Sequence, residues 1–202
     1  PKQKEGQVPS TIPEVLAEKA EKLGDKPMLL FEEREYTYGA IHELSNRVAN
    51  ALLEIGPAKD DNIALMLPNL PEFLLSWFGA GKVGAPVVPV NVALKGEGLK
   101  HILQGSDSKA LIVHRDYWAQ VEPVLPASIA TIVSVGGPIE GQTAALEDIL
   151  AQAPSENPGT QLKPSDLMMI MYSSGTTGLP KGVVMPHMQI MGGAVLLQLA
   201  GV

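Results

Sequence analysis

The 202-residue sequence contains no cysteine. This absence excludes a disulfide framework and a thiolate metal site, and it agrees with an origin in a reducing compartment. We therefore expect a cytoplasmic protein. Histidine is also sparse, since the chain has only four, and none of them stands at metal-ligand spacing from another. Two of these, His42 and His101, lie within helical patterns and are expected to be ordinary, partly exposed residues.

Basic residues are fewer than acidic ones. The chain has 15 Lys and Arg against 22 Asp and Glu, which gives a formal net charge of −7, and no window is dense in Lys and Arg. This balance argues against a nucleic-acid partner, because affinity for nucleic acid comes largely from clustered positive charge. The sequence also has no G-x-S-x-G elbow, so the nucleophile of an α/β-hydrolase is not indicated.

Neither end of the chain predicts a targeting or membrane segment. The N-terminus, P-K-Q-K-E-G-Q-V-P-S, lacks the apolar core of a signal peptide, and it lacks an initiator Met, as expected of a trimmed or excerpted chain. Val183–Val202 contains no Asp, Glu, Lys or Arg and is as long as a membrane span. Pro186, His187 and Gln198 interrupt it. We therefore predict a helix buried in a larger soluble domain, with no membrane span.

The fold class follows from an alternation of strand-like and helix-like segments. Apolar runs of strand length lie at Ile63–Leu67, Val87–Val90, Ala110–Val113 and Thr131–Val135. Helical patterns follow them at Pro71–Val83, Gly96–Leu103, Arg115–Val124 and Ala144–Ala153. Repeated strand–helix order predicts βαβ units, and hence an α/β fold with a mostly parallel sheet flanked by helices.

The remaining segments complete the predicted organisation. Thr11–Gly24 has the capping hydroxyl, early proline and terminal glycine of a helix, and a hairpin over 28–38 precedes a second helix that ends at Gly56. The stretch from Pro154 to Pro164 is rich in Pro, Ser, Asn and Gly. We therefore predict an N-terminal α/β subdomain over 1–153, a linker over 154–164, and the start of a second subdomain over 165–202.

One glycine motif resembles a dinucleotide site but stands in the wrong context. Gly79-Ala-Gly81-Lys-Val-Gly84 fits G-x-G-x-x-G. That fingerprint requires a strand, then the glycines, then a helix. Here a helical pattern comes first and a strand follows. We therefore expect these glycines to act as a helix cap and as close-packing positions.

The most informative segment is Tyr172–Val184, Y-S-S-G-T-T-G-L-P-K-G-V-V, which directly follows the apolar run Leu167–Met171. Glycines let backbone N–H groups approach an anion, hydroxyls donate further hydrogen bonds, and one ammonium neutralises charge, so the run predicts a phosphate-binding loop. A flexible linker would explain the glycines but not the apolar strand in front. A Walker loop needs a hydroxyl residue after the lysine, where this chain has Gly182.

The run S-S-G-T-T-G-L-P-K-G-V resembles the phosphate-binding signature of the adenylate-forming (AMP-binding) superfamily, most closely that of acyl-CoA synthetases. Leu67-Pro-Asn69 and Gly84–Asn91 are similar to further parts of the pattern. The resemblance implies the N-terminal portion of the acyl-CoA synthetase-like fold and a loop that holds the β- and γ-phosphates of ATP. Lys181 would stabilise the leaving pyrophosphate, and Thr176 would contact magnesium. The residues implied in phosphate binding are Ser173, Ser174, Gly175, Thr176, Thr177, Gly178 and Lys181.

The implied activity is that of an AMP-forming acid–thiol ligase. Such an enzyme activates a small carboxylic acid with ATP and magnesium as acyl-AMP, releases pyrophosphate, and then forms the CoA thioester. A peptide-synthetase-type adenylation domain is the alternative within the class, but those domains often carry Ser where Thr176 stands. His187 resembles a histidine that follows the loop in this family, and both a catalytic role and a packing or helix-start role are open.

The second alternative is that the chain alone is catalytically incompetent. Members of the family are more than twice as long, and the adenine-binding segment, the magnesium-binding acid, the ribose-binding aspartate and the C-terminal domain would all lie beyond Val202. The interrupted domain would expose apolar surface, which predicts self-association.

Overall fold

The computed structural model describes residues 10–173 and 179–199, with side chains described as far as residue 193. The helices are α1 (Ile12–Leu23), α2 (Tyr38–Ile55), α3 (Pro71–Val83), α4 (Gly96–Gly105), α5 (Trp118–Val121), α6 (Leu146–Gln152) and α7 (His187–Leu199). The strands are β1 (Pro27–Phe31), β2 (Arg34–Thr37), β3 (Ile63–Met66), β4 (Val87–Pro89), β5 (Ala110–His114), β6 (Thr131–Val135), β7 (Ala144–Ala145), β8 (Leu167–Ser173) and β9 (Lys181–Pro186).

A seven-stranded sheet organises the described chain, with strand order β7-β6-β5-β3-β4-β8-β9. Every neighbouring pair in it is parallel except β8–β9, which is antiparallel. Strands β1 and β2 form a separate antiparallel hairpin. The predicted α/β fold with a mostly parallel sheet is therefore confirmed.

The sheet separates two apolar layers. Side chains alternate along β3, so that Ile63 and Leu65 join the core beneath α2 and α3, whereas Ala64 and Met66 join the core beneath α4. All four residues are fully buried, as expected of a central parallel strand covered on both faces. This two-sided burial explains why the predicted strands appear in the sequence as continuous apolar runs.

The first helix begins as its sequence predicts. The Thr11 hydroxyl accepts a hydrogen bond from the Glu14 backbone N–H at 3.4 Å, and the Glu14 carboxylate accepts one from the Thr11 N–H at 3.1 Å. This reciprocal capping box, with Pro13 in the first turn, satisfies N–H groups that would otherwise lack helical partners. Helix α2 begins similarly, because the Thr37 hydroxyl accepts from Ala40 N–H at 3.1 Å.

Three helix predictions need correction. The segment predicted as one helix over 115–124 contains only α5, flanked by short 3₁₀ turns, and Pro123 lacks the N–H that a continuous helix would use. The helix predicted from Ala144 begins at Leu146, because Ala144 and Ala145 pair with β6. The helix predicted from Val183 begins at His187, since Lys181–Pro186 pairs with β8.

The glycine motif in α3 serves packing and capping, as predicted. Gly84 ends the helix in a left-handed conformation (φ 74°). A Cβ at Gly79 would lie 2.5 Å from Val48 Cγ1, and one at Gly81 would lie 2.6 Å from Met168 Cε. Helix α3 therefore approaches α2 and β8 more closely than any larger residue would allow.

Side chains of helix α2 donate hydrogen bonds to the backbone at the start of the segment over 154–164. Asn46 donates to Ser155 O at 2.8 Å, Arg47 donates to Ala153 O at 2.5 Å, and Asn50 donates to both Pro154 O (2.9 Å) and Glu156 O (2.8 Å). Beyond this segment β8 joins the same sheet by pairing with β4. The subdomain boundary proposed at this segment stays a prediction.

None of the helices in the described ranges is both long enough and apolar enough to cross a membrane.

Replacing Gly79 with alanine should lower the free energy of unfolding by about 1–3 kcal/mol, because the new methyl group would overlap Val48. Urea denaturation monitored by circular dichroism measures this change. The matched control is Gly98→Ala in α4, where the nearest atom to the new Cβ lies 3.7 Å away, so stability should be unchanged or slightly increased. Equal destabilisation by the two substitutions would contradict the close-packing role of Gly79.

Candidate active site

The candidate site lies on the β8–β9 hairpin. Ser173 ends β8 and Lys181 begins β9, and the two residues are paired across the hairpin, with Tyr172 and Gly182 as the next pair inward. Both Ser173 and Lys181 are exposed. The rest of the predicted phosphate loop, Ser174, Gly175, Thr176, Thr177 and Gly178, lies outside the described residues. The structure therefore brings Ser173 and Lys181 together at the base of the loop, and the binding roles of all seven residues stay predictions.

The position of the hairpin in the sheet favours ligand binding. Strand β8 runs parallel to β4, so its carboxyl end, Ser173, lies at the same edge of the sheet as the carboxyl ends of β3, β4 and β5. Ligands of open α/β sheets bind outside this edge, where loops follow the strands. Ser173, the first residue of the S-S-G-T-T-G run, therefore lies at the edge of the sheet where a nucleotide is expected.

Helix α4 contacts the hairpin through His101. The Nε2 atom of His101 lies 2.9 Å from the carbonyl oxygen of Pro180, the residue before Lys181. Its ring also meets the Tyr172 ring edge-on, with centroids 6.4 Å apart. His101 is half-buried, but it has a specific partner 79 positions away in the chain, which its helical spacing could not indicate.

His187 is fully buried at the first position of α7. Its backbone N–H donates to Asp166 O at 3.1 Å, and its Nδ1 accepts from the Ile12 N–H at 3.3 Å. Burial lowers the pKa of His187, although the charges of Asp166 and Glu14 act in the opposite direction. Because the ring joins the starts of α7 and α1 and does not reach solvent, the geometry favours the packing and helix-start interpretation over a catalytic one.

Lys82 of α3 is a buried lysine that the sequence pattern does not reveal. Its Nζ donates to His42 O at 2.8 Å and to Asn46 Oδ1 at 2.5 Å, and it lies 3.3 Å from His42 Nδ1. Burial lowers the pKa of Lys82 to about 7, and burial together with the Lys82 charge lowers the pKa of His42 to about 4. These three residues join α3 to α2, and Asn46 extends the connection to Ser155.

Within residues 10–173 and 179–199, no cluster of His, Asp or Glu is arranged to hold a metal ion. The magnesium contact implied by the family resemblance falls on Thr176, in the loop outside these ranges.

Strand β8 pairs in parallel with β4 and leads into the Gly/Ser/Thr run, and the exposed Lys181 lies on the returning strand, as expected of an α/β protein that binds phosphate. The family model of the AMP-binding enzyme matches residues 16–200 of the chain. The chain therefore belongs to the AMP-binding enzyme family, and the resemblance found in the sequence is confirmed.

Curated relatives of the chain are CoA ligases. The crotonobetaine/carnitine–CoA ligase of Citrobacter koseri is 34% identical over 181 residues, which cover 83% of this chain and 35% of the relative. The long-chain-fatty-acid–CoA ligase FadD13 of Mycobacterium tuberculosis is 39% identical over 152 residues, which cover 75% of this chain and 29% of the relative. The chain thus spans about a third of the length of these relatives.

Solved structures share the fold. The anthranilate–CoA ligase AuaEII, in complex with anthranoyl-AMP, superposes with a TM-score of 0.82 at 30% identity, over 89% of this chain and 36% of that one. A long-chain-fatty-acid–CoA ligase from Archaeoglobus fulgidus gives a TM-score of 0.83 at 25% identity, over 95% of this chain and 40% of that one. The described fold is therefore the N-terminal part of the acyl-CoA synthetase fold.

The lowered pKa values of His42 and His187 predict a pH dependence of stability. In the unfolded chain His42 and His187 gain protons near pH 6.5, whereas in the folded chain both have lower pKa values, about 4 for His42. Because of these two histidines the unfolded state binds more protons below pH 6.5, so their contribution to the free energy of unfolding should be fully retained above that pH and should decrease as the pH falls toward 4.

Urea unfolding at a series of pH values tests this. The double variant His42→Gln/His187→Gln should show a shallower decrease between pH 6.5 and 4 than the unmodified chain, whatever its stability at pH 8. Parallel curves for the two proteins would show that these imidazoles do not cause the slope.

Proposed function

We propose that the chain is the N-terminal portion of an ATP-dependent acyl-CoA synthetase. The enzyme first joins a carboxylic acid to AMP and then transfers the acyl group to the thiol of CoA. The observation that carries the proposal is the pairing of Ser173 with Lys181 at the base of an S-S-G-T-T-G loop, at the carboxyl edge of the sheet. The CoA-ligase names of the relatives support a CoA thiol over a carrier-protein thiol as the acceptor.

In the first half-reaction a carboxylate oxygen attacks the α-phosphorus of ATP, and the bond from that phosphorus to the bridging oxygen of pyrophosphate breaks. Negative charge grows on the departing pyrophosphate. The Lys181 ammonium, at the open end of β9, offers three N–H donors and a full positive charge to this group. Stabilisation of charge that develops in the transition state accelerates the reaction, whereas equal stabilisation of bound ATP would not.

The loop residues hold the phosphates for this step. Ser173, Ser174, Thr176 and Thr177 act as hydroxyl donors, and Gly175 and Gly178 allow the backbone to approach the anion closely. Side-chain hydroxyl oxygens fit a hard cation, so Thr176 would hold magnesium, which neutralises phosphate charge when it is bound. In the second half-reaction the CoA sulfur attacks the acyl carbon, and AMP leaves.

The intact protein acts on small molecules, namely a carboxylic acid, ATP and CoA, and it does so in the cytoplasm. The relatives are named for crotonobetaine, carnitine and long-chain fatty acids. These compounds are therefore the first acids to assay.

The isolated 202-residue chain is proposed to be inactive and to self-associate. It covers about 35% of the curated relative's length. Strand β9 lies at the end of the sheet, and Met171, Val183, Val184 and Met188 are each about half exposed on and after the hairpin. Exposed apolar side chains on a strand at the edge of a sheet favour association between copies.

Lys181→Ala should slow carboxylate-dependent ATP–pyrophosphate exchange by the intact protein about 10²–10³-fold, because one stabilising donor to the developing charge is lost. The exchange is measured with the acids named above, and the variant Lys19→Ala, which removes an exposed lysine on α1, serves as the control for net charge. Unchanged exchange in Lys181→Ala would contradict the role of Lys181.

The 202-residue chain by itself should release no pyrophosphate from ATP–Mg and any acid of the panel, and calorimetry should show at most weak ATP binding.

Light scattering should show association of the chain that grows with its concentration, and the substitution Val184→Thr should reduce this association. The control is Leu30→Thr on β1, which also replaces an exposed apolar side chain, 70% exposed, but away from the hairpin. Turnover by the isolated chain, or equal effects of the two substitutions, would refute the corresponding proposal.

A further inference from the structure

Helix α4 holds the residue before Lys181 through a single directed hydrogen bond. His101 Nε2 lies 2.9 Å from Pro180 O, and a carbonyl oxygen can only accept, so Nε2 carries the hydrogen and donates it. Both the neutral ring with its hydrogen on Nε2 and the charged imidazolium can donate this bond. Pro180 has no N–H, so this carbonyl is the only backbone hydrogen-bonding group of the residue.

The residue after Lys181 is held by Tyr172. Gly182 is paired with Tyr172 across the hairpin, and a Cβ at Gly182 would lie 3.3 Å from Tyr172 Cζ and 3.1 Å from Ile170 Cγ2. The Tyr172 hydroxyl reaches α4, where it would lie 3.3 Å from a Cβ at Gly105. The ring therefore fills the space between the hairpin and α4, and glycine at 105 and 182 leaves room for it.

Lys181 thus has an exposed side chain on a backbone that is fixed on both sides. We propose that His101 is a positioning residue, which sets the direction of Lys181 toward the phosphates by anchoring the Pro180 carbonyl to α4. This inference rests on the proposed function of Lys181. His101 does not touch the phosphates in this arrangement, and it acts only through the backbone.

The physical argument concerns the freedom of a lysine side chain. Its four rotatable bonds already reduce the precision with which the ammonium is placed. If the backbone at 180–181 also moved, the ammonium would spend less time in the productive position, and binding would lose the benefit of a prearranged donor. An uncharged hydrogen bond of this kind changes an equilibrium by roughly threefold to tenfold.

The experiment uses the intact protein encoded by the gene that carries this sequence, with magnesium pyrophosphate as the probe. His101→Leu removes the donor and keeps an apolar side chain of similar size, whereas His101→Gln keeps an N–H donor at a comparable distance from the helix. Gln104→Leu makes the same polar-to-apolar change at an exposed position of α4 and is the matched control. Calorimetry gives the dissociation constant, and amide hydrogen exchange reports on Lys181 and Gly182.

We expect His101→Leu to weaken pyrophosphate binding about threefold to tenfold and to accelerate amide exchange at 181–182, with melting temperature close to that of Gln104→Leu. His101→Gln should retain most of the affinity for pyrophosphate and most of the protection from amide exchange at 181–182. If Lys181→Ala weakens binding but His101→Leu does not, or if His101→Gln is as impaired as His101→Leu, the positioning role is refuted. If Lys181→Ala itself binds pyrophosphate normally, the proposed function of the lysine fails instead.

Discussion

The parallel pairing of β8 with β4 is the constraint on which the candidate site depends. Met169 pairs with Val87, and the neighbouring Met168 is fully buried against Gly81 of α3. This contact places the end of β8, and hence Ser173, at the carboxyl edge of a sheet whose other parallel strands all come from residues before 154. Without it, the hairpin that carries Lys181 would lose its place in the parallel sheet.

The strands and first helices could be predicted because local chemistry determines them. A strand that is buried on both faces has apolar residues at every position, as in Ile63–Met66. The capping box of α1 is complete within the four residues from Thr11 to Glu14. The segment after Lys181 was harder. Val183 and Val184 are β-branched and suit a strand, but the absence of charge over twenty residues also fits a buried helix. The segment up to Pro186 is a strand because it pairs with β8.

The contacts around the candidate site could not be predicted, because they join residues that are distant in the chain. His101 meets Pro180, 79 positions away, and Lys82 meets His42 and Asn46, about 40 positions away. In the sequence each is a lone polar residue in a helical pattern, which is usually a solvated one. These contacts depend on tertiary packing, which brings α4 against the β8–β9 hairpin and α3 against α2.

The hydrogen bonds from α2 to the backbone of residues 153–156 have a consequence for sequence variation. Asn46, Arg47 and Asn50 contact only main-chain carbonyl oxygens there, which every amino acid provides. The exposed side chains of Pro154 and Glu156 are therefore freer to change than the three donors on the helix. Because the hydrogen bonds at 153–156 place no demand on the residues that follow, a label inserted beside the exposed Asn157 and Gly159 should leave the sheet undisturbed.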